Sequence, residues 1–237
     1  MPRSRGRRQN ARSMAPLRAL LVDALGTTVR LLPPWEQLAP ATIEGLEPGR
    51  VRDAFKAEMT FYAAHAHEAR DAASLAELRE TCARILSDGL GRDVSVAEMM
   101  EAIVFEAYPD GAPALDAARE RELRVVCVSN WDFELPDVLA RVGLADSFDA
   151  VVVSALVGAR KPDPAIFVEA LAVAGCEAGE ALHVGDTEDD VAGATAAGIA
   201  VLRVDREGGE GDLRGLDELP ERLARWPKLS MSDDSAP

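Results

Sequence analysis

Lysine is scarce in this chain of 237 residues: Lys56, Lys161 and Lys228 are the only three, and Lys and Arg together number 26 against 41 Asp and Glu. The net charge of −15 repels nucleic acid and anionic membranes, so neither is an expected partner. It also opposes an anionic substrate at long range, so a phosphate site must be made positive locally, by a metal ion or a placed cation. Cysteine is equally sparse. Cys82, Cys127 and Cys176 are too few and too scattered for a disulfide framework or a zinc site, and they read as reduced thiols of a cytoplasmic protein. No apolar run reaches membrane-spanning length, and no internal repeat is present. The Arg-rich start, MPRSRGRRQNARS, has no apolar stretch and is no secretory signal. Residues 1–15 read as a disordered extension, with a transit peptide or a nucleic-acid arm as the other readings, and 228–237 as a disordered tail.

What the chain does have is a series of short apolar runs, each ending in polar or Gly-rich residues: Leu17–Val22, Arg124–Val128, Ala150–Val153, Ala181–Val184 and Ile199–Val204. Such runs are the mark of buried parallel strands. Helical stretches lie between the later ones, at Phe133–Val142, Asp163–Ala174 and Asp189–Ala197. The alternation predicts an α/β fold, a three-layer Rossmann-like core with a parallel sheet. Residues 31–108 read instead as an inserted helical domain, with helices over Val51–Ala69, Leu75–Leu86 and Val96–Ala107, bounded by Pro33-Pro34 and Pro109-Asp110-Gly111. The core then comprises 16–30 and 109–227. Ligand sites of parallel sheets lie at the carboxyl ends of the strands, and the residues there are Asp23, Ser129, Ser154 and Gly185-Asp186.

The first exit, LLVDALGTTV, places a carboxylate beside a tight Gly26-Thr27 turn, an arrangement suited to nucleophilic attack. Taken alone, Asp23 is also an ordinary turn cap. Three further motifs follow in order: VVCVSN with Ser129, VGARKPDPAIF with Lys161, and LHVGDTEDDVAGATAAGI with Asp186 and Asp190. Together they resemble the haloacid dehalogenase superfamily, subfamily I, over about Leu17 to Leu223, and the helical insertion resembles its C1 cap. The resemblance implies that Asp23 is the nucleophile, with Thr27, Ser129 and Lys161 completing the catalytic set. It implies Mg2+ held by Asp23, the Leu25 carbonyl, Asp186 and Asp190, and a small-molecule substrate contacted by Asn130. Within the cap, Tyr62, His65, His67 and Arg70 read either as a solvated helix face or as a polar cluster from which His65 and Arg70 reach the substrate. His183, inside an apolar strand, reads as a core histidine, and Asp189 as a helix-start acid. Monomer and homodimer are both compatible.

One position departs from the pattern. Where phosphatases of this superfamily carry a second aspartate, two residues after the nucleophile, this chain has Leu25, which moves no proton. Three readings follow. The first is a Mg2+-dependent phosphatase working through an aspartyl-phosphate, with a good leaving group or with an acid from the cap, His65 foremost. The second is a hydrolase akin to 2-haloacid dehalogenases, whose Asp-Ala-x-Gly-Thr start this chain shares, or to phosphonoacetaldehyde hydrolases. GDTEDD opposes the former, and the surroundings of Lys56, AFKAEM, do not match the cap lysine of the latter. The third is a weakly active or inactive relative that keeps the fold for binding or regulation.

Overall fold

The structure, a computed structural model, describes residues 16–226; the expected N-terminal extension and C-terminal tail lie outside the described residues. The described residues form seven strands: β1 (Ala19–Val22), β2 (Val29–Leu31), β3 (Phe105–Ala107), β4 (Arg124–Ser129), β5 (Ala150–Val153), β6 (Ala181–Gly185) and β7 (Ala200–Arg203). Five of them form one sheet in the order β5-β4-β1-β6-β7, every pair parallel. β1 is apolar throughout, and β4 is apolar from Val125 to Val128, because both faces are covered. Leu20 and Val22 join Val125 and Cys127 in one core cluster, while Ala19 and Leu21 join Val126 and Val128 in the other. Side chains alternate between faces along a strand, so a run of consecutive apolar residues fills two cores at once. Helices such as Leu135–Arg141, Ala165–Ala174 and Glu188–Ala196 connect these strands and supply the outer layers.

The cap has a core of its own. Helices Pro48–His65 and Ala72–Leu90 pack against each other and, with Val96–Ala102, enclose Phe55, Leu75, Leu86 and Met99. Each fully buried side chain of this size contributes about 1.5–3 kcal/mol relative to its exposed state. Two of the three helices begin in reciprocal capping boxes, Asp71 with Ser74 and Ser95 with Glu98, which satisfy amides that the first turn leaves unpaired.

One expected helix is shorter than its periodicity suggests. The stretch read as helical to Ala107 stops at Ala102, and Phe105–Ala107 becomes β3, antiparallel to β2. Ile103, Val104 and Phe105 are β-branched or aromatic, stiff in a helix and well suited to a pleat. The ribbon pairs Arg30 with Glu106, whose side chains meet at 2.6 Å, and carries the chain between cap and core.

Candidate active site

The sheet order sets the site. β1 lies between β4 and β6, with Val22 in register with Cys127 and Val184, so the residues just beyond these three strand ends converge. Asp23 extends the ladder by one bond, its amide donating to the Val184 carbonyl at 2.9 Å. The residue is 4% exposed. Ser129 Oγ donates to Asp23 Oδ1 at 2.8 Å, and Lys161 Nζ donates to the same oxygen at 2.6 Å. Asp23 Oδ2 accepts no hydrogen bond among the described residues, and Asp23 lines a cavity of about 380 Å³ between the core and the cap.

Lys161 is itself held on all sides. Its ammonium also donates to Asp190 Oδ1 at 2.6 Å and to the Val128 carbonyl at 3.2 Å. Asn130 brackets its backbone, accepting from the Lys161 amide at 2.7 Å and donating to the Lys161 carbonyl at 3.0 Å. Asn130 lines the cavity, and these two bonds make its side chain a brace for Lys161. Asp190 is committed likewise. Its Oδ1 also meets His183 Nε2 at 2.8 Å, and its Oδ2 accepts from the Thr187 amide at 3.1 Å and from the Thr187 hydroxyl.

Two glycines give these carboxylates their room. Gly26 has φ +82°, and a Cβ there would lie 2.1 Å from Asp186 Oδ2. A Cβ on Gly185 would fall 2.3 Å from Asp190 Cγ. Only a residue without a side chain permits either approach. Thr27 Oγ1 meets Asp186 Oδ1 at a long 3.4 Å. Carboxylate oxygens of Asp23, Asp186 and Asp190 all lie within 4.8 Å of one another, an all-oxygen set suited to a hard cation.

Charge in this cluster is unbalanced. Burial, with repulsion from Asp190 and Asp186, raises Asp23 to about 6 against the pull of Lys161. Asp186 is raised too, by burial and by Asp190. Burial would depress Lys161, but Asp23 and Asp190 outweigh it and hold the ammonium protonated. Burial would raise Asp190, yet Lys161 and His183 keep it well below the usual carboxylate range. Three carboxylates facing one ammonium leave an excess of two negative charges when all are ionised, which a divalent cation would cancel. The residues present therefore fit Mg2+.

Above the core, the loop after β4 ties the cap down. Tyr62 Oη donates to Asp132 Oδ2 at 2.7 Å, and Arg79 pairs with Glu134 at 2.6 Å. The Phe133 amide donates to the Ala69 carbonyl at 3.1 Å, and Arg160 reaches the Ala64 carbonyl at 3.2 Å. Burial, followed by the charge of Asp132, holds the Tyr62 phenol well above its ordinary pKa. Leu25, 42% exposed, lines the cavity.

Of the expected site residues, the structure brings Asp23, Thr27, Ser129, Lys161, Asp186 and Asp190 together, with Leu25 and Asn130 beside them. It does not bring His65 or Arg70 there. His65 ends its helix a turn beyond Tyr62, where its ring stacks on Phe61 at 4.3 Å and faces Glu68 at 3.3 Å. Arg70 lies past the helix end and is exposed. The cap wall is formed instead by residues such as Glu58, Met59, Tyr62 and Arg79. His183 is buried, as a core histidine should be, yet it also buttresses Asp190; a polar residue in a fully buried strand needs a partner, and that was the signal available. Arg206 gave no signal. It pairs with Asp110 through two nitrogens at 2.9 and 3.0 Å, donates to the Thr27 carbonyl at 2.7 Å and to that of Gly26 at 3.3 Å, and lies 3.6 Å from the centre of the Tyr108 ring.

The sequence matches the haloacid dehalogenase-like hydrolase family over residues 17–198. The chain belongs to that family. It is 45% identical over 92 residues to haloacid dehalogenase-like hydrolase domain-containing protein 3 of Bos taurus, covering 38% of this chain and 37% of that protein. It is 35% identical over 123 residues to a glyceraldehyde 3-phosphate phosphatase of Methanopyrus kandleri, covering 48% and 50%. These matches span between about a third and a half of the curated relatives' length. Among solved structures, the L-2-haloacid dehalogenase of Xanthobacter autotrophicus superposes with a TM-score of 0.65 at 26% identity, over 89% of this chain and 99% of that one. The five-stranded parallel sheet and the inserted helical cap are thus those of a haloacid dehalogenase-like fold. Among the described residues no helix is long and apolar enough to cross a membrane.

Proposed function

We propose that this haloacid dehalogenase-like hydrolase cleaves phosphate monoesters of small organic molecules through an aspartyl-phosphate on Asp23, with Mg2+ as its cofactor. The observation that carries the reading is the one-sided hold on Asp23, a residue of the cavity wall: Ser129 and Lys161 both engage Oδ1, which leaves Oδ2 without a hydrogen bond among the described residues. Oδ2 attacks phosphorus, an O–P bond forms, and the bond to the ester oxygen breaks with its electron pair leaving on that oxygen. Water then adds to phosphorus and displaces the Asp23 carboxylate, which releases inorganic phosphate. Lys161 offsets charge on the nucleophile, and Asn130, Asp190 and His183 hold Lys161 in place. Asp23, Asp186 and the Leu25 carbonyl would ligate Mg2+, with Asp190 beside them; bound there, the cation supplies charge neutralisation for the phosphoryl oxygens. Relatives named as phosphatases support the same reaction class.

Leu25 removes the acid that would protonate the leaving oxygen, so the reading favours esters whose leaving group departs unaided. It also gives the dehalogenase-like reading its support, because a halide leaves without a proton. The two separate in one screen of phosphate monoesters and 2-haloacids, each with and without Mg2+. Phosphate release that requires Mg2+ and disappears in Asp23→Asn is the expected result. Halide release independent of metal would replace this reading with the second.

A further inference from the structure

Glu58 belongs to the cap helix Pro48–His65 and to the cavity wall, remote in sequence from every motif. It is 4% exposed, and its Oε2 is buried without a hydrogen-bond partner. Its polar neighbour is the thiol of Cys82, a weak donor. The surrounding wall is apolar, made of Met59, Met99, Met100, Ile103 and Phe105. Two other polar groups of the cap wall have partners within the protein: Tyr62 bonds Asp132, and Arg79 pairs with Glu134. Buried polar groups are ordinarily paired, and an orphan in a ligand cavity calls for a ligand group. An ionised carboxyl only accepts, so a donor on the ligand is the group that would pair this oxygen and keep it ionised against its burial.

We propose that Glu58 is the substrate-selecting carboxyl of the cap, taking a hydrogen-bond donor, hydroxyl or ammonium, carried by an otherwise apolar organic phosphate at a distance from its phosphoryl group. The assignment rests on the phosphatase reading above and gives that reading a substrate class. The Met-rich wall adapts to the apolar body, while Glu58 rejects a substrate that leaves its carboxyl unpaired. Burial raises the pKa of Glu58, and an ammonium partner would restore the ionised form.

The test uses the full chain with Mg2+ and three esters of matched length: butyl phosphate, 4-hydroxybutyl phosphate and 4-aminobutyl phosphate. The expected result is a kcat/KM about tenfold or more higher for the donor-bearing esters, carried by KM. Glu58→Leu should bring both ratios near one. Glu58→Gln, which keeps shape and hydrogen bonding but not charge, should keep the hydroxyl preference and lose the ammonium preference. Calorimetric titration of the same esters into Asp23→Asn protein, with and without Glu58→Leu, reads affinity without turnover. Equal affinity for all three esters, or a donor preference that persists in folded Glu58→Leu protein, overturns the assignment. Absence of hydrolysis both of these esters and of 4-nitrophenyl phosphate, whose leaving group departs unaided, alongside a Glu58-dependent donor preference in calorimetry overturns the phosphatase reading and upholds the selecting role.

Discussion

At Leu25 a branched apolar side chain stands 42% exposed on the cavity wall, two residues from Asp23, where a carboxyl would be within reach of a leaving group. General acid–base help is worth about 10²–10⁴-fold in rate. Leu25→Asp should therefore raise kcat on alkyl phosphates by about 10²-fold or more, and by less on aryl phosphates, whose leaving groups need little protonation. An equal gain on both ester types, or none in folded protein, would mean that proton delivery is not what limits the wild type. The residues around Leu25 show why this much could be read from sequence. Asp23, Ser129 and Asp186 each sit at or just past the end of an apolar run, and a parallel sheet aligns such ends. Their hydrogen bonding was not legible in the same way: that Asp190 and Asn130 hold Lys161 follows from three-dimensional spacing between segments far apart in the chain. Cap residues were less legible still. Glu58 and His65 share one helix, and whether each meets the cavity depends on how the helix end turns.

The ribbon β2–β3 and the loop after β7 meet at Arg206, and this junction governs how the catalytic loop is held. Arg206 ties the Gly26 and Thr27 carbonyls to Asp110, just beyond β3, and Asp110 also accepts from the Leu216 amide at 2.8 Å. Arg206→Met keeps the aliphatic stem over Tyr108 but leaves Asp110 and two carbonyls without their donor. Both side chains of the pair are partly exposed, so the cost is about 1–2 kcal/mol in urea denaturation, less than a buried pair would lose. Activity should fall as well, through kcat, because Thr27 loses its backbone tether. Arg206→Lys should recover only part, since an ammonium cannot serve a carboxylate through two nitrogens and two carbonyls at once. The pH dependence has a definite sign. Burial alone would raise Asp110, but the Arg206 bonds and the Leu216 amide lower it from its ordinary 3.8. Its contribution is thus full above that value and lost as pH falls through the lower folded pKa, so the stability gap between wild type and Arg206→Met should narrow as pH falls below about 4, leaving the part that comes from the Gly26 and Thr27 carbonyls. Equal stability of the two at pH 7 would remove the clamp. Neither partner was legible beforehand: β2 and β3 are three residues each, too short for a periodic pattern, and the helical reading of Val96–Ala107 had absorbed β3.

Across the whole molecule the charge is −15, and five arginines lie within residues 1–15, so residues 16–226 are more acidic still. An anionic ester approaches this field uphill, and attraction beside the nucleophile comes from Lys161 and from the cation that Asp23 and Asp186 would hold. Long-range repulsion between exposed charges is screened over about 10 Å at 0.1 M salt and about 3 Å at 1 M. Interactions inside the site are buried and respond far less. Raising NaCl from about 0.02 to 0.3 M should therefore increase kcat/KM for butyl phosphate several-fold while kcat changes little. Mg2+ must be saturating throughout, because the same acidic field attracts the cation and salt weakens that attraction. 4-Aminobutyl phosphate, with one fewer net negative charge, should respond less than butyl phosphate, which separates screening from any general effect of salt on the fold. A kcat/KM that fell with salt at saturating Mg2+ would mean that the field around the cavity is locally positive, and that substrate is drawn in by the arginines of its wall, Arg79, Arg141 and Arg160, despite the acidity of the chain as a whole.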